Sequence, residues 1–115
     1  GVTIDCFDPE RLADFWSEAA GFTNREGNGE PYVTISGFSV ERAVIFDISK
    51  VPEGKTAKHR VHLDLFVDDI GVEVQRLVAL GATVVTLEGD PSHMGFVAAV
   101  LIDPEGGEFC VVGGI

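Results

Sequence analysis

The sequence predicts an α+β fold of two tandem βαβββ modules, forming a curved, mixed β-sheet cup with helices on its outer face. Two observations predict it. The segments "GVTIDCFDPERLADFWSEAAGF" and "HLDLFVDDIGVEVQRLVALGATVV" share one pattern, a two-residue alternation that gives way to a helical apolar stripe, about sixty residues apart. Each is then followed by three strand-like runs separated by turn residues. Two copies at this period mean a duplicated supersecondary unit rather than a solenoid.

The elements follow in chain order. Val2, Ile4 and Cys6 alternate, so the first run reads as a strand with one buried side. Asp8 stands where a helix N-cap belongs and Pro9 fits the first helical position. Leu12, Phe15, Trp16 and Ala19 then make the buried stripe of a helix ending near Gly21. "GFTNRE", "PYVTISGF" and "RAVIFDISKV" supply the three strands of module one, about residues 1–54. "PEGKTAKHR" is polar, contains Pro and Gly, and reads as the connection to module two, about residues 59–115. There Leu63, Leu65 and Val67 alternate, Asp68 or Asp69 can cap, and Val74, Leu77, Val78 and Leu80 form the stripe of a helix that stops at Gly81. "ATVVTLEG", "GFVAAVLID" and "EFCVVGG" complete the repeat, the last two joined by the tight turn "DPEGG". Antiparallel hairpins of this kind pack one sheet face on helices and leave the other open to a ligand.

A length of 115 residues suits one domain with its own core. Hydrophobic residues make up 45% of the chain, which argues against disorder, and no apolar run approaches the roughly 20 residues that span a bilayer. No secretory leader pattern opens the sequence, so a cytoplasmic location is the default expectation. The first residue is Gly rather than Met, which leaves room for a trimmed natural terminus. Cys6 and Cys110 are too few and too far apart for a disulfide framework and read as buried free thiols. Nineteen Asp plus Glu against 8 Lys plus Arg give a net charge of −11. That charge repels phosphate backbones and anionic membranes, so nucleic acid and membrane are not expected partners. The expected partner is a small organic molecule. Attraction of a cationic ligand is one use of the charge, and plain solubility is the other.

The H-x-x-x-x-V-x-D strand at His62, the twofold repeat and the late "DPEGGEF" turn resemble the vicinal oxygen chelate superfamily. That group includes glyoxalase, extradiol dioxygenases and bleomycin-resistance proteins. "VTIDCFDPERLADFW", "KHRVHLDLFVDD", "LVALGATVV" and "DPEGGEFCVV" are similar to its small glyoxalase-like domain, and the likeness spans essentially the whole chain. It implies a single domain in which paired modules close a cup, and in metal-dependent members the cup holds a divalent ion on His, Gln or Glu side chains. Carried over residue by residue, the second-module opening position is His62 and the first-module one is Gly1, which has no side chain. Where the family usually has Glu on the last strand, seven residues after Asp103, stands Cys110; its first-module counterpart is Asp47. The metal-ligand set implied is therefore His62, Asp47 and Cys110, with one ion or none as cofactor.

Alternation adds the neighbours of these positions. If Leu63, Leu65 and Val67 lie under the helix, His62, Asp64 and Phe66 face the cup. Thr3 and Asp5 accompany Gly1 by the same rule, and Glu108 accompanies Cys110. The expected pocket lining is His62, Asp64, Phe66, Asp5, Asp47 and Glu108, and His62 is also the candidate for proton transfer. Phe96 and Tyr32 are further pocket candidates, and His93 and Met94 sit in a loop suited to a rim. Phe15 and Trp16 are expected in the core. "DPEGG" joins two strands without a following helix and so reads as a turn rather than a phosphate loop. "KTAKHR" is the one basic cluster and reads as a local ion-pairing segment.

The leading functional expectation is a small-molecule-binding protein with an incomplete metal site, sequestering a cationic organic ligand as bleomycin-resistance proteins do. The alternative is a metal-dependent lyase, isomerase or dioxygenase acting on a substrate with adjacent oxygens. A homodimer is implied by the resemblance, and each cup is then completed either within one chain or by both.

Overall fold

The computed structural model describes residues 1–27, 32–38, 43–88 and 96–114. It divides the chain into two compact units, Gly1–Thr56 and Ala57–Ile115. The first contains β1 (Val2–Cys6), α1 (Pro9–Ala20), β2 (Asn24–Glu26), β3 (Tyr32–Phe38) and β4 (Ala43–Lys50). The second contains β5 (Leu63–Val67), α2 (Ile70–Leu80), β6 (Thr83–Glu88), β7 (Phe96–Ile102) and β8 (Glu108–Gly114). Each is the expected βαβββ module.

Both modules use one topology. Module one is a four-stranded sheet in the order β1-β4-β3-β2, and module two repeats it as β5-β8-β7-β6. The opening strand pairs in parallel with the closing strand, and the other pairs are antiparallel. The helix after the opening strand carries the chain across one face, so the closing strand returns beside the first in the same direction.

In module one, Asp8 caps α1 through Oδ1, which accepts from the Arg11 N–H at 3.3 Å, and Pro9 occupies the first turn. Gly21 ends the helix at φ 73°, a left-handed conformation that a residue with a Cβ enters only with strain. Leu12, Phe15, Trp16 and Ala19 are buried against Val33, Ile35, Phe46 and Ile48. Trp16 and Phe22 both meet the Phe46 ring edge-on, with centroids 6.0 and 4.9 Å away. Such pairs contribute about 0.5–1.5 kcal/mol beyond the area they bury. Arg25 of the edge strand β2 reaches α1, where its Nη2 lies 2.6 Å from Glu10 Oε2.

Module two is built the same way with a thinner core. Asp69, not Asp68, is the cap, with Oδ1 accepting from the Val72 N–H at 3.1 Å. Leu77 is fully buried against a sheet face of Ala99, Leu101, Phe109 and Val111, while Val74 and Leu80 are half-buried. Val78, expected in the stripe, is 46% exposed. It stands about 100° round the helix from Leu77, at the margin of the contact face. The β6 strand carries an irregularity between Val84 and Thr86, which leaves Val85 outside the ladder and exposed. Among the described residues, no helix is long and apolar enough to cross a membrane.

Candidate functional site

The face of each sheet away from its helix is where alternation sends the remaining side chains. In module one, Thr3, Asp47 and Thr34 are register partners across β1, β4 and β3, and Asp5, Ser49 and Tyr32 form the next row. Thr3, Tyr32, Thr34, Asp47 and Ser49 line an open concavity of about 330 Å³. That is at the small end of the volumes seen for ligand pockets. Within it the Thr34 hydroxyl donates to Asp47 Oδ1 at 2.7 Å. A carboxylate held on one oxygen still has lone pairs for another donor, so Asp47 is oriented without being saturated. The site's chemistry is therefore one fixed carboxylate among hydroxyls, with the Tyr32 ring, 51% exposed, beside it.

Register settles the correspondence between modules. Asp64 pairs with Cys110 as Thr3 pairs with Asp47, so Asp47 and Cys110 occupy equivalent positions, as the resemblance implied. Asp64 and Phe66 lie on the open face of β5 and are exposed, while Leu63, Leu65 and Val67 turn toward the helix side. His62 is exposed and precedes β5 by one residue. Cys110 is half-buried, unlike Cys6, which is buried; neither is in a disulfide. Asp5 is exposed next to Ser49.

Glu108 shares the face of Cys110, as alternation suggests, and has a partner that alternation does not reveal. It sits at the start of β8 with its carboxylate turned to the inter-module connection, where Oε2 accepts the His59 N–H at 2.9 Å. The His59 Nδ1 is 3.9 Å from the same oxygen. Phe96 opens β7, and His93 and Met94 lie outside the described residues.

Sequence reasoning passed over Thr34, Ser49 and His59. The first two were legible as polar residues at period two in "YVTIS" and "FDIS". His59 carried no such signal, because its contact joins positions 49 residues apart.

The family model for the glyoxalase-like domain matches residues 1–112. The chain belongs to the glyoxalase-like domain family. With it comes membership of the vicinal oxygen chelate superfamily, whose solved structures share this fold. A glyoxalase/bleomycin resistance protein/dioxygenase family enzyme from Burkholderia phytofirmans superposes with a TM-score of 0.75 at 16% identity, covering 98% of this chain and 95% of that one. A hypothetical protein from S. aureus gives 0.71 at 20% identity, with coverages of 97% and 90%. A mutant of the fosfomycin resistance protein FosX from Listeria monocytogenes, in complex with Mn(II) and 1S,2S-dihydroxypropylphosphonic acid, gives 0.74 at 12% identity, with coverages of 99% and 87%. No curated protein matches the sequence.

Metal-dependent relatives raise the question of whether this glyoxalase-like domain has the donors. A divalent ion needs three or four deprotonated N, O or S ligands converging on one point. Among the described residues, no group of three His, Cys, Asp or Glu side chains does so. His62 is exposed, Asp47 is turned to Thr34, and the position usually held by Glu is Cys110. Within either module the described residues do not supply the three converging donors of a metal centre.

Proposed function

We propose that this glyoxalase-like domain binds a small organic cation at the open face of module one and holds it non-covalently, as a sequestering protein. The observation that supports this reading is Asp47, a carboxylate oriented by Thr34 in a concavity otherwise lined by hydroxyls and Tyr32. A charge-assisted hydrogen bond from an ammonium or guanidinium to Asp47 would supply most of the recognition, with the hydroxyls matching polar substituents. The chain's net charge of −11 favours the approach of such ligands. In this reading the protein pairs with a second copy, and sedimentation velocity showing only monomer at high concentration would remove that part.

Calorimetric titration with ethanolamine, choline and agmatine tests the reading. At least one should bind, and Asp47→Asn should weaken it about tenfold or more, the scale of a charged hydrogen bond. If none binds, or if Asp47→Asn binds as the unaltered protein does, the reading fails. Metal analysis of protein prepared without chelator tests the competing one. A stoichiometric divalent ion that is lost in His62→Ala would establish a metal-dependent enzyme instead.

A further inference from the structure

The two modules share a pairing scheme but not the side chains set on it. In module one the rows are Thr3, Asp47, Thr34 and Asp5, Ser49, Tyr32. The corresponding rows of module two are Asp64, Cys110, Val100 and Phe66, Val112, Ala98. Each module thus sets a carboxylate row beside a row containing an exposed aromatic ring. In module two both groups stand on the edge strand β5, Val100, Val112 and Ala98 take the places of Thr34, Ser49 and Tyr32, and Cys110 takes that of Asp47.

We infer that module two carries a second organic-cation site, built on Asp64 and Phe66, that prefers cations with bulky hydrocarbon substituents. It rests on the proposal that the open sheet faces take cations, and adds a site of different selectivity. Asp64 and Phe66 are two residues apart on one face of β5, about 7 Å along the strand. One ligand therefore reaches both. Phe66 is 73% exposed, so its ring face is available to a cation, and the half-buried Val100, Cys110 and Val112 extend the apolar floor. On the rows across β5, β8 and β7 the charged residues are Asp64 and Glu108, both acidic, and Glu108 holds the His59 N–H. Charge complementarity thus selects a cation. Across β5, β8 and β7 these rows offer no hydroxyl, and Thr86, the next member of the Val100 row, lies at the far edge on β6. Beside Asp64 and Phe66 a hydroxylated ligand would therefore lose water without replacement, whereas a hydrocarbon one would not.

Tetraphenylphosphonium and the isosteric anion tetraphenylborate separate charge from plain hydrophobicity. The phosphonium should bind the full chain by equilibrium dialysis, and the borate should not. Asp64→Asn and Phe66→Ala should each weaken phosphonium binding about threefold or more, while Glu53→Gln, which removes one exposed charge of the connection, leaves it unchanged. The altered side chains are exposed, so the variants should keep the parent's circular dichroism and melting point. Equal binding of the borate, or an equal loss of phosphonium binding in Glu53→Gln and Asp64→Asn, overturns the inference. Phosphonium binding without any response to ethanolamine, choline or agmatine would leave this site standing and remove the one in module one.

Discussion

Gly107 is required for space rather than for backbone freedom. A Cβ there would lie 2.7 Å from Asp103 Oδ2 and 2.9 Å from His59 Cε1, closer than such atoms come. Asp103 is 5% exposed, and its Oδ1 accepts from the Glu105 and Gly107 N–H groups, each at 2.9 Å. It cannot step aside without unpairing them. Gly107→Ala should therefore destabilise the protein by about 1–3 kcal/mol, the range for overpacking, measured by urea denaturation. Gly106 supplies the contrast: its φ is 84° and nothing lies within 4 Å of where a Cβ would be. Gly106→Ala should cost about 1–2 kcal/mol from left-handed strain alone. His59→Ala should then relieve part of the Gly107→Ala penalty and none of the Gly106→Ala one; equal responses would mean that crowding by His59 is not the cause. The turn "DPEGG" was legible in the sequence because Asp, Pro and Gly each have a local turn role. The His59 ring packed on it was not, since no local pattern records a contact made through tertiary structure.

The two helices show how far local signals reach. Asp8 is read as a cap directly from sequence, and the second cap is narrowed to Asp68 or Asp69, of which the structure takes Asp69, because capping is a contact over three residues. Replacing Asp8 or Asp69 with Ala should cost about 0.5–2 kcal/mol of stability. The strand alternation and the apolar stripe of α1 were equally legible, since both reflect a period set by the element itself. The stripe of α2 was overread at Val78, because periodicity gives the direction of the buried face but not its width. That same helix carries a pH-sensitive contact. Arg76 holds the Glu73 carboxyl below its ordinary value of 4.5, by hydrogen bonding first, with partial burial opposing and charge attraction adding. Since the folded value is lowered, the contact's stabilisation is full above the unfolded value and is lost as pH falls through the folded one. The pair is three residues apart on a helix surface, Nη2 to Oε2 2.8 Å, so the effect should be about 0.2–0.5 kcal/mol. Thermal melts should show Glu73→Gln less stable than the parent at pH 7, with the difference shrinking below pH 4. A difference that holds constant across that range would assign the loss to packing.

Over the whole molecule, the duplication explains both what the sequence revealed and what it concealed. A repeated βαβββ pattern is recorded twice, so the module pattern could be anticipated, while the equivalence of Asp47 with Cys110 came from the family resemblance and is matched by register. The divergence of the two open faces is recorded once in each module, and its meaning appears only when register places Asp47 beside Thr34 and Asp64 beside Cys110. A net charge of −11 adds a field that acts on any cation, whether or not a site exists. Field and site respond differently to salt and to mutation. The field is screened over about 10 Å at 0.1 M salt and about 3 Å at 1 M, whereas a hydrogen bond to an oriented carboxylate is shorter than either. Agmatine affinity should therefore fall with salt to a plateau rather than vanish. Glu53, exposed in the inter-module connection, provides the matched control because Glu53→Gln removes the same single charge as Asp47→Asn. Titration at 1 M salt should show Glu53→Gln binding as the parent does and Asp47→Asn binding about tenfold more weakly. If the two variants lose affinity alike, and the loss disappears at high salt, the attraction belongs to the acidic surface as a whole and not to Asp47.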